Sequence, residues 1–176
     1  MPHVTSAFVA VALCIGSVAQ SPSRPLDIHF TPTRQVVAEA MLELAGLGAG
    51  DVVYDLGSGD GRLVILAAQR YGAEGVGYEL QPSLVAQSRQ TAVEAGVAER
   101  VRFIERDLRD ADVADATVVL LYLSTSLTRE LTPKLLRELR PGARIVSHQF
   151  LLADRAPDRS LKVEGESLHL WVVPKR

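Results

Sequence analysis

Apolar positions recur along the chain first with a helical and then with an alternating strand–helix rhythm. Val36, Val37, Ala40, Met41 and Leu44 form a stripe at three- and four-residue spacing. That spacing predicts a helix over 32–45, with Thr31 as N-cap and Pro32 at its first position. Gly46, Gly48 and Gly50 end it. β-rich runs then follow at 52–56, 75–80, 101–105, 117–123 and 143–148, separated by helical patterns over 62–71, 82–95 and 126–139. Pro82 is placed to open one of these helices, and Pro133 is expected to kink or interrupt another. The tail changes character, with two short strand candidates, 161–164 and 168–173, placed around Gly165 as a hairpin. Strands separated by helices imply right-handed crossovers and a mostly parallel sheet with helices on both faces. The hairpin adds antiparallel strands at one edge.

Composition narrows the class without changing this α/β picture. The 176 residues are 47% apolar and 23% charged, with a net charge of −2, as expected of one globular domain. No Lys/Arg cluster stands out, so no nucleic-acid face is indicated. A single cysteine, Cys14, rules out an intrachain disulfide and cysteine-based zinc sites. The uncharged run "AFVAVALCIGSVA" (7–19) is shorter than the ~20 residues of a membrane span and fits the apolar core of a signal peptide. Cleaved signal, retained anchor and mis-assigned start are the three readings of residues 1–20. Any membrane association is expected through that segment alone. "SPSRPLD" (21–27) reads as a linker, so the folded domain is expected over 28–176.

The stretch "VVYDLGSGDG" (52–61) carries the chemistry. A strand ends in Asp55 and runs into Gly57, Gly59 and Gly61. Open α/β sheets bind ligands outside the carboxyl ends of their strands, where this loop must lie. Two explanations for the bare backbone stand side by side: a ligand lying flat against it, or a turn that needs positive φ. Glu79 ends the next strand and Asp107 follows the third, so three acids stand at the same edge. A dinucleotide fits poorly. Its G-x-G-x-x-G fingerprint presents a helix N-terminus to a pyrophosphate. Here Arg62 occupies the sixth position, and Asp55 and Asp60 would repel phosphate. These acids suit a ligand with a cationic end and neutral hydroxyls, and S-adenosylmethionine is such a ligand.

"DLGSGDG", the acid of "GYEL", the Asp of "RDL" and the run "VVLLYL" resemble successive motifs of the class I, seven-strand S-adenosylmethionine-dependent methyltransferases, whose fold is Rossmann-like. "FTPTRQVVAEAMLELA" and "ELRPGARIVSHQF" resemble a group of prokaryotic protein-lysine methyltransferases related to a mitochondrial lysine methyltransferase family. The likeness runs from about residue 30 to 173. It implies that Asp55, Gly57, Ser58, Gly59 and Gly61 line the amino-acid end of the cofactor, with Asp55 near its ammonium. It places Glu79, with Leu80 beside it, on the ribose hydroxyls, and Asp107, with Leu108, on the adenine. Tyr122 faces the methyl donor. Thr31 and Thr33 cap the cofactor or the substrate entrance, with Thr33 standing where the family has a second proline.

The implied acceptor is a protein lysine, with a small-molecule amine or a non-catalytic cofactor-binding module as alternatives. No "NPPY"-type segment follows "VVLLYL", which disfavours adenine or amide methylation. Tyr122, Ser147 and His148 are the catalytic candidates, the first two as acceptors for the amine. His148 ends the fifth strand, where it either locks the strand ends or orients substrate. His169 is expected to begin a neighbouring strand close to it. An export signal is at odds with a cofactor made in the cytosol, so localisation stays open.

Overall fold

The computed structural model describes residues 31–175. The hydrophobic segment 1–20, the linker 21–27 and residues 28–30 and 176 lie outside the described residues. In chain order the elements are α1 (Gln35–Ala45), β1 (Val52–Leu56), α2 (Arg62–Tyr71), β2 (Glu74–Glu79), α3 (Pro82–Glu94), β3 (Val101–Glu105), a 3₁₀ turn (Leu108–Asp110), β4 (Val118–Leu121), α4 (Thr125–Glu138), β5 (Arg144–His148), β6 (Arg159–Val163) and β7 (Glu166–Val172). They build one seven-stranded sheet ordered β3-β2-β1-β4-β5-β7-β6. β1 to β5 are parallel, and β7 runs antiparallel to both β5 and β6. The β6–β7 turn is tight because Glu164 and Gly165 both take positive φ, 49° and 88°, which matches the right-handed twist of a two-residue hairpin.

The burial of β4 explains the layering. Val118, Val119, Leu120 and Leu121 are all fully buried, so both faces of the central sheet are covered. Val118 and Leu120 pack with Val37, Met41, Leu63 and Leu66 of α1 and α2. Val119 and Leu121 pack with Leu127, Leu131 and Leu135 of α4 and with Trp171. A smaller cluster joins Val64, Val85 and Phe103 beneath α3.

Most element bounds fall within a couple of residues of those expected from sequence, and three differences are physical. α1 starts at Gln35, with Arg34 as an N-cap residue that makes no side-chain cap. Thr31 and Pro32 therefore do not open it. The Thr33 carbonyl, which a helix begun at residue 32 would give to residue 37, accepts from Arg62 Nη1 at 2.8 Å. β4 ends at Leu121, because the chain turns there toward α4, which Ser124 caps through the amide of Leu127. Pro133 neither interrupts nor ends α4. Pro133 and Arg129, whose carbonyl loses its usual donor, are both exposed, so that acceptor faces solvent.

Candidate active site

β1 lies between β2 and β4, so the strand order reverses at its carboxyl end. That switch point is where open α/β sheets hold ligands. A cavity of about 300 Å³ opens there. Its walls include Asp55 from β1, Glu79 from β2, Asp107 after β3, Tyr122 after β4 and Thr31, Pro32 and Thr33 before α1. The topology thus brings the three predicted acids, Tyr122 and the Thr31–Thr33 segment to one place. Ser58, Leu80 and Leu108 are on its walls as well.

Asp55 is 4% exposed. Burial pushes its carboxyl up to about 7, with Glu79 and Asp60 adding like-charge repulsion. A buried carboxyl among acids is a receptor for a cation, since a positive group would restore its charge. Glu79 plays a larger structural part than expected. Its carboxylate accepts from the Gly59 amide at 3.0 Å and from the Leu80 and Gln81 amides at 2.8 Å each. Two carboxylate oxygens offer about four lone-pair sites, so capacity remains for a ligand hydroxyl. Asp107 caps the 3₁₀ turn through the Arg109 amide at 2.9 Å and pairs with the Arg109 guanidinium at 3.3 Å.

In the glycine loop the turn that needs positive φ explains much of the bare backbone. Gly57, Gly59 and Gly61 have φ of 92°, 55° and 78°, a region that side chains disfavour. Gly57 is on the cavity wall, whereas Gly59 and Gly61 are not. A Cβ on Gly61 would stand 2.6 and 2.7 Å from ring carbons of Phe103, so packing forbids it. The amides of the loop are also spoken for. Gly57 and Ser58 donate to the Tyr78 carbonyl at 2.9 Å, Gly61 donates to the Ser58 carbonyl, and Gly59 donates to Glu79. A pyrophosphate would need those donors, so the geometry argues against a dinucleotide. It fits the sulfonium cofactor, whose ammonium Asp55 can meet and whose hydroxyls Glu79 can accept.

Of the catalytic candidates, only Tyr122 lines the cavity. Its ring stacks on His148, with centroids 4.0 Å apart and planes at 29°. His148 is 3% exposed. Its Nε2 lies 3.4 Å from Glu166 Oε2. Burial holds its pKa below the ordinary histidine value, outweighing the opposite pull of Glu166, so the ring is neutral at physiological pH. Ser147 is fully buried with its hydroxyl unpartnered among the described residues, which removes it from contact with an acceptor amine. His148 and His169 do not form a pair. His148 registers with Leu168 and Ser147 with His169, so the one-residue offset puts the two rings on opposite faces. His169 instead bonds Ser160 Oγ at 2.8 Å. No cluster of three His, Cys, Asp or Glu side chains able to hold a metal is present among the described residues.

Arg106, Arg109, Ser124 and Phe150 are cavity residues that the sequence reading did not single out, and Asp60 and Arg62, noted there within the glycine motif, line it too. Arg62 and Asp60 had a visible signal, the charged pair inside the glycine motif. Phe150 stands two residues beyond β5, and nothing in its spacing marks it.

Comparison with known proteins agrees with this site. The ANTKMT methyltransferase domain matches residues 55–159. A protein-lysine N-methyltransferase of Saccharolobus islandicus is 34% identical over 151 residues, 83% of this chain and 94% of that protein. The adenine nucleotide translocase lysine N-methyltransferase of Mus musculus is 40% identical over 132 residues, and the match spans 75% of this chain and 57% of that protein. A solved structure, an RNA methyltransferase from Salinibacter ruber in complex with S-adenosyl-L-homocysteine, superposes with a TM-score of 0.81 at 49% identity. That match covers 83% of this chain and 95% of the other. With the glycine loop, the three strand-end acids and the seven-strand order all in place, the chain belongs to the ANTKMT methyltransferase-domain family.

Proposed function

We propose that this protein N-methylates lysine side chains of proteins, with S-adenosylmethionine as methyl donor. The observation that carries the reading is the similarity to the Saccharolobus islandicus protein-lysine N-methyltransferase over 83% of this chain and 94% of that protein. The cofactor supplies an activated methyl group. Asp55 meets its ammonium, Glu79 its ribose and Asp107 its adenine. What remains for the chain is to align a neutral amine and exclude water.

Tyr122, Leu123 and Phe150 line the cavity and give it apolar and aromatic surface. An apolar wall favours the neutral form of a lysine whose unperturbed pKa is ~10.4, and the Tyr122 hydroxyl offers the amine an acceptor. Ser124 adds a second hydroxyl to the cavity lining. No carboxylate is required as a base, because the lysine ammonium can give its proton to solvent as the apolar wall desolvates it.

The Salinibacter ruber structure, described as an RNA methyltransferase, favours a second reading with RNA as acceptor. The net charge of −2 and the absence of a basic cluster in the sequence count against it, since polyanion binding rests on clustered Lys and Arg. Incubating the whole protein with radiolabelled S-adenosylmethionine and separated protein, RNA and small-molecule fractions of a cell lysate tests both. Label on protein that yields methyllysine on hydrolysis supports the proposal. Label in RNA or in small molecules alone overturns it.

A further inference from the structure

The geometry points to Arg62 as the positioning residue for the cavity wall formed by Thr31, Pro32 and Thr33, and to that wall, whose Thr31 and Pro32 are exposed, as the route by which the cofactor exchanges. This rests on the cofactor reading above.

Among the described residues, no side chain at the start of α1 caps that wall. α1 has no side-chain cap at its N-terminus and no acidic residue in its first turn, so the segment before it lacks the usual anchor. Thr33 is nevertheless 5% exposed. The anchor comes from Arg62, which begins α2 at the end of the glycine loop. One arm of its fork, Nη1, donates to the Thr33 carbonyl at 2.8 Å. Nε and Nη2 grip Asp60, at 2.9 Å and 2.5 Å. Asp60, Arg62 and the wall residues all face the cavity. The guanidinium therefore bridges loop and wall, and on the proposed route a ligand leaving past Thr33 parts that bond. Arg34, the next residue, pairs with Glu164 and Glu166 of the hairpin and donates to the Glu164 carbonyl, but its side chain is half exposed, and such exposed pairs hold weakly. The planar fork is what allows one side chain to satisfy a carboxylate and a carbonyl at once, which a lysine ammonium does poorly.

The test uses the full-length protein and S-adenosylhomocysteine, with rate constants measured by surface plasmon resonance. Arg62→Ala is expected to raise both the association and the dissociation rate constant by roughly tenfold, the scale of one lost charge-assisted hydrogen bond. The dissociation constant should then change much less than either rate. Arg62→Lys is expected to follow Arg62→Ala, and it decides the question if the alanine variant is unfolded by circular dichroism. Hydrogen exchange at the Ala38 amide, which bonds the Arg34 carbonyl at 2.9 Å, should quicken in either variant. A rise in dissociation alone would make Arg62 a plain ligand contact and overturn the proposal. Unchanged rates, or a lysine variant that behaves as the parent, would overturn it too. A parent protein that binds no S-adenosylhomocysteine would overturn it together with the cofactor reading.

Discussion

Asp55→Asn separates the stability of the fold from its use of the cofactor. The substitution keeps the shape of the side chain and removes its charge. In the native protein the carboxyl is raised from 3.8 to about 7, chiefly by burial. The native state therefore holds its proton more tightly than the unfolded chain across that window, and stability falls as pH rises through it. At 1.36 kcal/mol per pH unit the raised pKa costs the cofactor-free protein, relative to a pH where the group is protonated in both states, ~4 kcal/mol at pH 8 and roughly 2 kcal/mol at pH 5, where only the unfolded chain has ionised. Asp55→Asn lacks this penalty. Its melting temperature should exceed that of the parent by about 10 °C at pH 8, with the advantage shrinking as the pH is lowered toward 5. Binding should move the other way. Loss of one charge-assisted contact to the ammonium weakens S-adenosylhomocysteine by about 10- to 150-fold. Differential scanning calorimetry at pH 5 and 8 measures the first effect. Titration calorimetry in two buffers of different ionisation enthalpy measures the second, and should show proton release on binding to the parent near pH 6 and little at pH 8. A variant no more stable than the parent at either pH, or one that binds the cofactor product equally well, would refute the assignment of Asp55 as a buried cation receptor.

Glu79→Gln should weaken S-adenosylhomocysteine and also lower stability by ~1–3 kcal/mol, because the carboxylate clasps three backbone amides; an unchanged melting temperature with weakened binding would reduce Glu79 to a ligand contact. Gly61→Ala should destabilise by about 2 kcal/mol or more, since it adds overpacking against Phe103 to positive-φ strain. Gly96→Ala, at a similar φ of 70° with open space around it, should cost only ~1–2 kcal/mol, so equal losses in urea unfolding would contradict the packing argument. His148→Ala should slow methyl transfer roughly tenfold while S-adenosylhomocysteine affinity holds, because it removes the ring that supports Tyr122, an aromatic contact worth about 1 kcal/mol. His148→Phe, which keeps a ring there, should recover most of the rate, and a variant as slow as alanine would count against the stacking role.

The sequence by itself determined the class of fold and the edge at which the ligand binds. Both follow from local rules: period-two and helical hydrophobic patterns, a glycine at the hairpin turn, and an acid at the end of each of several successive strands. The cationic character of the ligand was legible for the same reason, since Asp55 and Asp60 flank the loop wherever it folds. Tertiary structure decided what depends on partners far away in the chain. Thr33 looks like the opening of a helix until Arg62, 29 residues on, takes its carbonyl. Gly61 looks like a ligand's doing until Phe103 is seen against it. Ser147 and His148 share the end of one strand in the sequence, but the sheet turns them to opposite faces, burying the first and setting the second behind Tyr122. The strand-to-strand register separated His148 from His169. Spacing along a chain encodes which way a side chain points from its own strand or helix, and only packing determines what it meets there.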